Sequence, residues 1–89
     1  VAVLVHEAWE EAIDGMVLHA CCLAGRLGED CRRVLAPGAR LLTTFKAGSH
    51  FEAMTHYHRF LDREPYCTDQ AWDHQPYPED WLVEQAKLA

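Results

Sequence analysis

Apolar residues in the first third of the chain recur at intervals of three and four: Trp9, Ala12, Ile13, Met16, Ala20, Leu23, Ala24 and Leu27. That spacing gathers side chains on one face of a 3.6-residue helix, so it predicts a long N-terminal helix beginning at Glu7. Glu7, Glu10, Glu11 and Asp14 would stand in its first turns, near the positive end of the helix dipole, and Arg26 near its last. Gly15 is the weak point, since glycine inside a helix costs about 1 kcal/mol relative to alanine. A break there would leave a helix followed by a strand, "MVLHACCLA". The opening run "VAVLV" is β-branched and continuous, which suits a short strand or an apolar lead into the helix.

Gly25 and Gly28 end the periodic run, and "EDCRRVLAPG" makes a short helical segment closed by the turn pair Pro37 and Gly38. In "ARLLTTFKA", Leu41, Thr43 and Phe45 alternate with Arg40, Leu42, Thr44 and Lys46, the pattern of a strand with one dry face. Ser49 then offers a helix N-cap, and Glu52 stands three residues later as its capping-box partner. Phe51, Met54, His58 and Leu61 follow at helical spacing, so a capped central helix is expected over residues 50–62. Pro65 stops that register. Beyond it, "EPYCTDQAWDHQPYP" has no sustained period, and its large rings predict an ordered loop laid across the domain. "PEDWLVEQAKLA" reads as a C-terminal helix entered at Pro78, with Trp81, Leu82, Gln85 and Leu88 available to dock.

These elements predict an α+β fold: one compact domain over residues 1–89 with a long N-terminal helix, one or two short strands, a capped central helix and a C-terminal helix. A chain of 89 residues has room for one core and little room for an enclosed active site. The start without Met suggests that the domain is part of a longer gene product.

Composition narrows the partners. The chain is 49% hydrophobic and 25% charged, which is globular rather than disordered. Its net charge of −6, with basic residues dispersed apart from Arg32 and Arg33, argues against nucleic acid. No run approaches the roughly 20 apolar residues of a membrane span, so no membrane partner is expected. Cys21, Cys22, Cys31 and Cys67 form no C-x-x-C pair, and no export signal precedes them. Reduced thiols in a cytoplasmic protein are therefore the expectation, with a disulfide scaffold as the alternative.

The stretch "AGSHFEAMTHYHRFLDREPYC" holds three histidines and invites a metal reading. Glu52 and His56 are four apart and share a helical face, and His74 in the following loop would supply a third ligand to a divalent ion. His56 and His58, however, diverge by about 200° on a helix and cannot clamp one ion. His50, just after the Ser49 cap, lies where free N–H groups favour an anion. Cys67 with His74 and Asp69 or Asp73 holds the atoms for nucleophilic catalysis, without a spacing that specifies geometry. No catalytic residue and no cofactor is expected from these patterns.

The segment "CRRVLAPGARLLTTF", residues 31 to 45, resembles the late helix, Pro-Gly turn and strand of class I methyltransferases. Ala39 stands where that pattern usually has a second glycine, and the glycine-rich cofactor loop has no counterpart here. The resemblance implies at most a relic of that fold and brings no site residue with it.

The rings suggest a different role. Tyr66, Trp72, Tyr77 and Trp81 are too many to bury in so small a core, and as a rim around the helix face bearing Tyr57 and Phe60 they would mark a partner surface. The expected function is a small non-catalytic protein-interaction domain, self-associating or bound to another protein; the alternative is a metal-binding or metal-dependent hydrolytic domain using Glu52, His56 and His74.

Overall fold

The computed structural model describes residues 2–87. Val1 of the opening run and Leu88 of the last helix lie outside them. The element order is β1 (Leu4–Ile13), β2 (Met16–Leu23), α1 (Glu29–Arg33), β3 (Arg40–Ala47), α2 (His50–Phe60) and α3 (Glu79–Ala86), with short 3-10 turns at Gly25–Gly28 and Ala71–His74. The strands form one antiparallel sheet in the order β2-β1-β3.

The fold is α+β, but the long N-terminal helix is replaced by a β-hairpin. Asp14 and Gly15 form its two-residue turn, with φ of 52° and 78°. Positive φ at both positions is the type I′ geometry that suits the twist of paired strands, and Asp-Gly is among its preferred sequences. Ile13 pairs with Met16 and the ladder runs back to His6 opposite Leu23. Residues spaced for a helical face are thus split between two strands. Of the alternative split at Gly15, the strand half is realised and the helix half is not.

Leu4, His6 and Ala8 are buried on one face of β1, joined there by Phe45 and Ala47 of β3. Helix α2 covers this face with buried Ala53 and Tyr57, while His56 meets Phe45 at 5.7 Å between ring centroids. Its start follows the sequence closely. The Ser49 hydroxyl accepts the Glu52 N–H at 3.1 Å, and the Glu52 carboxylate reaches back to the Gly48 N–H at 2.8 Å. Its end is a Schellman turn, with the Arg63 N–H donating to His58 O at 2.9 Å, the Asp62 N–H to Arg59 O at 3.1 Å, and Asp62 left-handed.

On the opposite face, α1 and the turn after it pack over the hairpin. A disulfide joins Cys22 to Cys31, with Cα atoms 5.9 Å apart, where reduced thiols are expected from the sequence. Arg32 donates to Leu23 O at 2.8 Å and lies 3.4 Å from the Glu7 carboxylate. The Glu11 carboxylate accepts the Ala36 N–H at 3.1 Å.

Helix α3 closes one end of the sheet, where Gln85 bonds to the backbone of Val5 and Ala24. The Gln85 carboxamide accepts the Val5 N–H at 3.0 Å and donates to Val5 O at 2.8 Å and Ala24 O at 3.0 Å. It extends the β1–β2 ladder where the strands part, so backbone groups at the fraying end stay paired.

Candidate functional site

The aromatic loop lies across the domain, held by the Tyr77 N–H donating to Gly48 O at 3.0 Å and by bridges from Tyr77 to Ala2 and Pro76 to Ser49. Two ring clusters seal it. In the first, His6 stacks on Phe45 with centroids 5.3 Å apart, and its Nε2 lies 2.9 Å from the Tyr77 hydroxyl. Its Nδ1 lies 3.1 Å from Leu4 O. A carbonyl can only accept, so Nδ1 carries the proton and Nε2 accepts from Tyr77. Tyr77 in turn stacks on Trp81 at 5.7 Å. Burial holds the His6 imidazole below its ordinary pKa and pushes the Tyr77 hydroxyl up to about 12.

In the second cluster, Phe51 meets His74 at 4.3 Å and Tyr66 at 5.9 Å, and Tyr66 also touches the edges of His50 and His58. The Tyr66 hydroxyl donates to the buried Asp73 carboxylate at 2.8 Å, which keeps that carboxyl below the usual range. His58 Nδ1 donates to Glu64 O at 3.0 Å, tying the helix end to the loop.

The expected metal ligands have separate neighbours. Glu52 caps α2 through Gly48, His56 packs on Phe45 and His74 on Phe51. Among the described residues no group of three or more His, Cys, Asp or Glu side chains is arranged to hold a metal ion. The expected interaction rings are also divided. Tyr57 is 7% exposed and belongs to the core, and Tyr66 and Tyr77 hold the loop. Trp72, at 65%, and Phe60, at 48%, project most, and Trp81 projects less.

A further group of exposed apolar side chains stands at the hairpin tip. Ile13, Met16, Val17 and Leu18 at the hairpin tip are all exposed, Met16 at 62% and Val17 at 61%. The two-residue turn makes Ile13 and Met16 a hydrogen-bonded pair, and alternation then turns the even-numbered residues of β2 toward β1. The N–H and C=O groups of Val17, His19, Cys21 and Leu23 therefore point outward along the sheet edge. Arg32 occupies this edge at Leu23 O, in agreement with that assignment. Beside the open stretch, Glu10 links His19 at 3.9 Å and Arg40 at 2.8 Å across the sheet. The signal for this surface was the Asp-Gly between apolar runs in "AIDGMVL".

The free thiols differ in reactivity. Burial pushes the Cys21 thiol up to about 11, while Cys67 is exposed. Unreduced native protein is expected to take up one alkylating group quickly, at Cys67, and a second, at Cys21, only on unfolding. Mass spectrometry of the labelled peptides checks this, and early labelling of Cys22 or Cys31 would show that their bond is open.

Comparison with known protein families, curated proteins and solved structures finds no match. Within the described residues no helix is long and apolar enough to cross a membrane.

Proposed function

We propose that the chain is a small non-catalytic protein-interaction domain whose binding surface is the β1–β2 hairpin tip and the outer edge of β2. The observation that carries this reading is the exposure of Ile13, Met16 and Leu18 on one side of the hairpin tip and Val17 on the other, along the outer edge of a sheet ordered β2-β1-β3. Trp72 and Phe60 add exposed rings elsewhere. The ring clusters hold the aromatic loop on the domain and set His6, His56 and His74 against aromatic rings.

Nucleic acid is a poor partner for a chain of net charge −6. Arg26, Arg32, Arg33, Arg40 and Lys87 are moreover each paired with a carboxylate. Cytoplasmic placement requires that cells keep Cys22 and Cys31 reduced, because glutathione opposes such bonds there. Thiol counting on protein taken from cell extract under acid quench decides that point.

Replacing both Val17 and Leu18 with Asp tests the reading. Both side chains are exposed, but Leu18 stands opposite Glu11, so the chain is expected to lose about 1 kcal/mol of stability and remain folded. Concentration-dependent association, measured by sedimentation equilibrium, is expected to disappear. A wild-type chain that never associates, or a variant that associates as before, would count against this surface.

A further inference from the structure

The two outer edges of the sheet are not alike. On β3 the edge carries Lys46, and its register with β1 is broken by a bulge opposite Ala8 and Trp9. A lysine and a bulge are common devices by which proteins stop an edge from pairing with another chain. Strand β2, "MVLHACCL", has neither: no Asp, Glu, Lys, Arg or Pro and an unbroken register from Met16 to Leu23. Two acidic copies of the chain repel each other over much of their surface, and β2 is a segment along which they can approach.

Resting on the interaction reading above, we infer that the partner of this edge is a second copy of the chain, with β2 pairing antiparallel to β2 of its twin about a two-fold axis at Leu18. Antiparallel pairing of identical strands is self-complementary, as a two-fold interface requires. The register follows from which groups are free. Val17 and His19 present outward N–H and C=O groups, whereas α1 approaches the edge near Leu23 through Arg32. An axis at Leu18 pairs Val17 of each copy with His19 of the other, closing four main-chain hydrogen bonds, and keeps α1 clear of the seam. Leu18 then faces its twin on one side of the joined sheet, flanked by Met16 against Ala20, while Val17 lies beside His19 on the other. The product is a continuous six-stranded sheet.

The accessible area fits that arrangement. The chain leaves 5969 Å² exposed, against about 5300 Å² for a compact monomer of its mass. Part of that surplus is surface that pairing along β2 would cover. The molecule is also a slab, with extents of 40 × 34 × 19 Å, which edge-to-edge pairing lengthens without blocking either face.

Two variants separate edge pairing from mere contact of apolar side chains. His19→Pro removes an N–H that points away from β1, so the internal ladder is retained. It deletes two of the four bonds across the axis and is expected to raise the dimer dissociation constant at least about 30-fold, with an unchanged circular dichroism spectrum. If that spectrum changes, Val17→Lys replaces it, adding an edge charge without touching the backbone, with the same loss of dimer expected. Leu18→Cys in a Cys67→Ser background is expected to give a disulfide-linked dimer under mild oxidation, because opposed residues of a non-hydrogen-bonded pair lie about 4.5 Å apart at Cα. Val34→Cys, equally free to react at an exposed site, is expected to give none. A wild-type chain that sediments as a monomer throughout the micromolar range overturns the inference. So does a dimer that survives the edge variant and fails to cross-link at position 18; if the double Asp variant dissociates that dimer, the interaction reading stands while strand pairing falls.

Discussion

Replacing Gly28 with alanine is expected to lower the unfolding free energy by about 3 kcal/mol or more, the upper range for forcing extra volume into a packed site. Gly28 is buried at the junction of the 3-10 turn and α1. A Cβ there would fall on the carbonyl oxygen of Leu23 and within 2.9 Å of Arg32 Nη1. The obstacle is backbone in a paired strand, so relief requires β2 or the turn to move. That same carbonyl accepts the Arg32 guanidinium at 2.8 Å, and Arg32 also reaches Gly25 O and the Glu7 carboxylate. One methyl group thus acts on the link between hairpin and α1, beside the Cys22–Cys31 bond. Gly38→Ala is the contrast: its Cβ meets nothing within 4 Å, and only its φ of +85° opposes the change, at about 1–2 kcal/mol. Denaturant melts of the two variants check the order. Equal midpoints would mean that the Gly28 contact relaxes at little cost.

The elements legible in the sequence were those whose signals are local. Ser49 and Glu52 mark the start of α2 because capping needs only residues three apart, and "ARLLTTFKA" alternates cleanly enough to be β3. The hairpin was obscured because its two periods conflict. The buried face of β1 beyond Leu4 consists of His6 and Ala8, one polar and one small, so its alternation carries little hydrophobic weight. Trp9, Ile13, Met16, Ala20 and Leu23 meanwhile fall at helical intervals by coincidence, so that Asp14 suits a helix start and Gly15 a costly helix interior, although the pair is a favourable turn. That error hid the interaction surface as well, since an open edge exists only once β2 is a strand. The rings of the loop were correctly expected to lie across the domain, but which of them remain exposed depends on partners far along the chain. Tyr77 finds His6, 71 residues away, and no local pattern encodes that contact.

That contact supports a second large effect: His6→Ala is expected to cost about 3 kcal/mol, comparable to truncating a buried aromatic ring. The imidazole is 4% exposed, stacks on Phe45, and fills both its nitrogen positions with Leu4 O and the Tyr77 hydroxyl. Alanine leaves a cavity beneath α2 and removes the partner of a half-buried phenol, so the bridges made by Pro76 and Tyr77 should loosen. Exchange of the Tyr77 amide, bonded to Gly48 O, reports that loosening directly. The pH dependence gives an independent check. Desolvation lowers the His6 pKa most, the Leu4 carbonyl opposes it, and His50 and His56 add repulsion partly offset by Glu52. The unfolded chain, with an ordinary value near about 6.5, therefore binds this proton more readily than the folded one. Stability from keeping His6 neutral is present above that pH and is lost as pH falls toward the lower folded value, with a limiting slope of about 1.4 kcal/mol per pH unit for one proton. The variant lacks that slope, so the wild type and His6→Ala should converge in stability as the solution is acidified below about 6.5. Parallel curves across the window would show that the buried imidazole is protonated as easily inside the fold as outside it, and would remove the desolvation argument for this site.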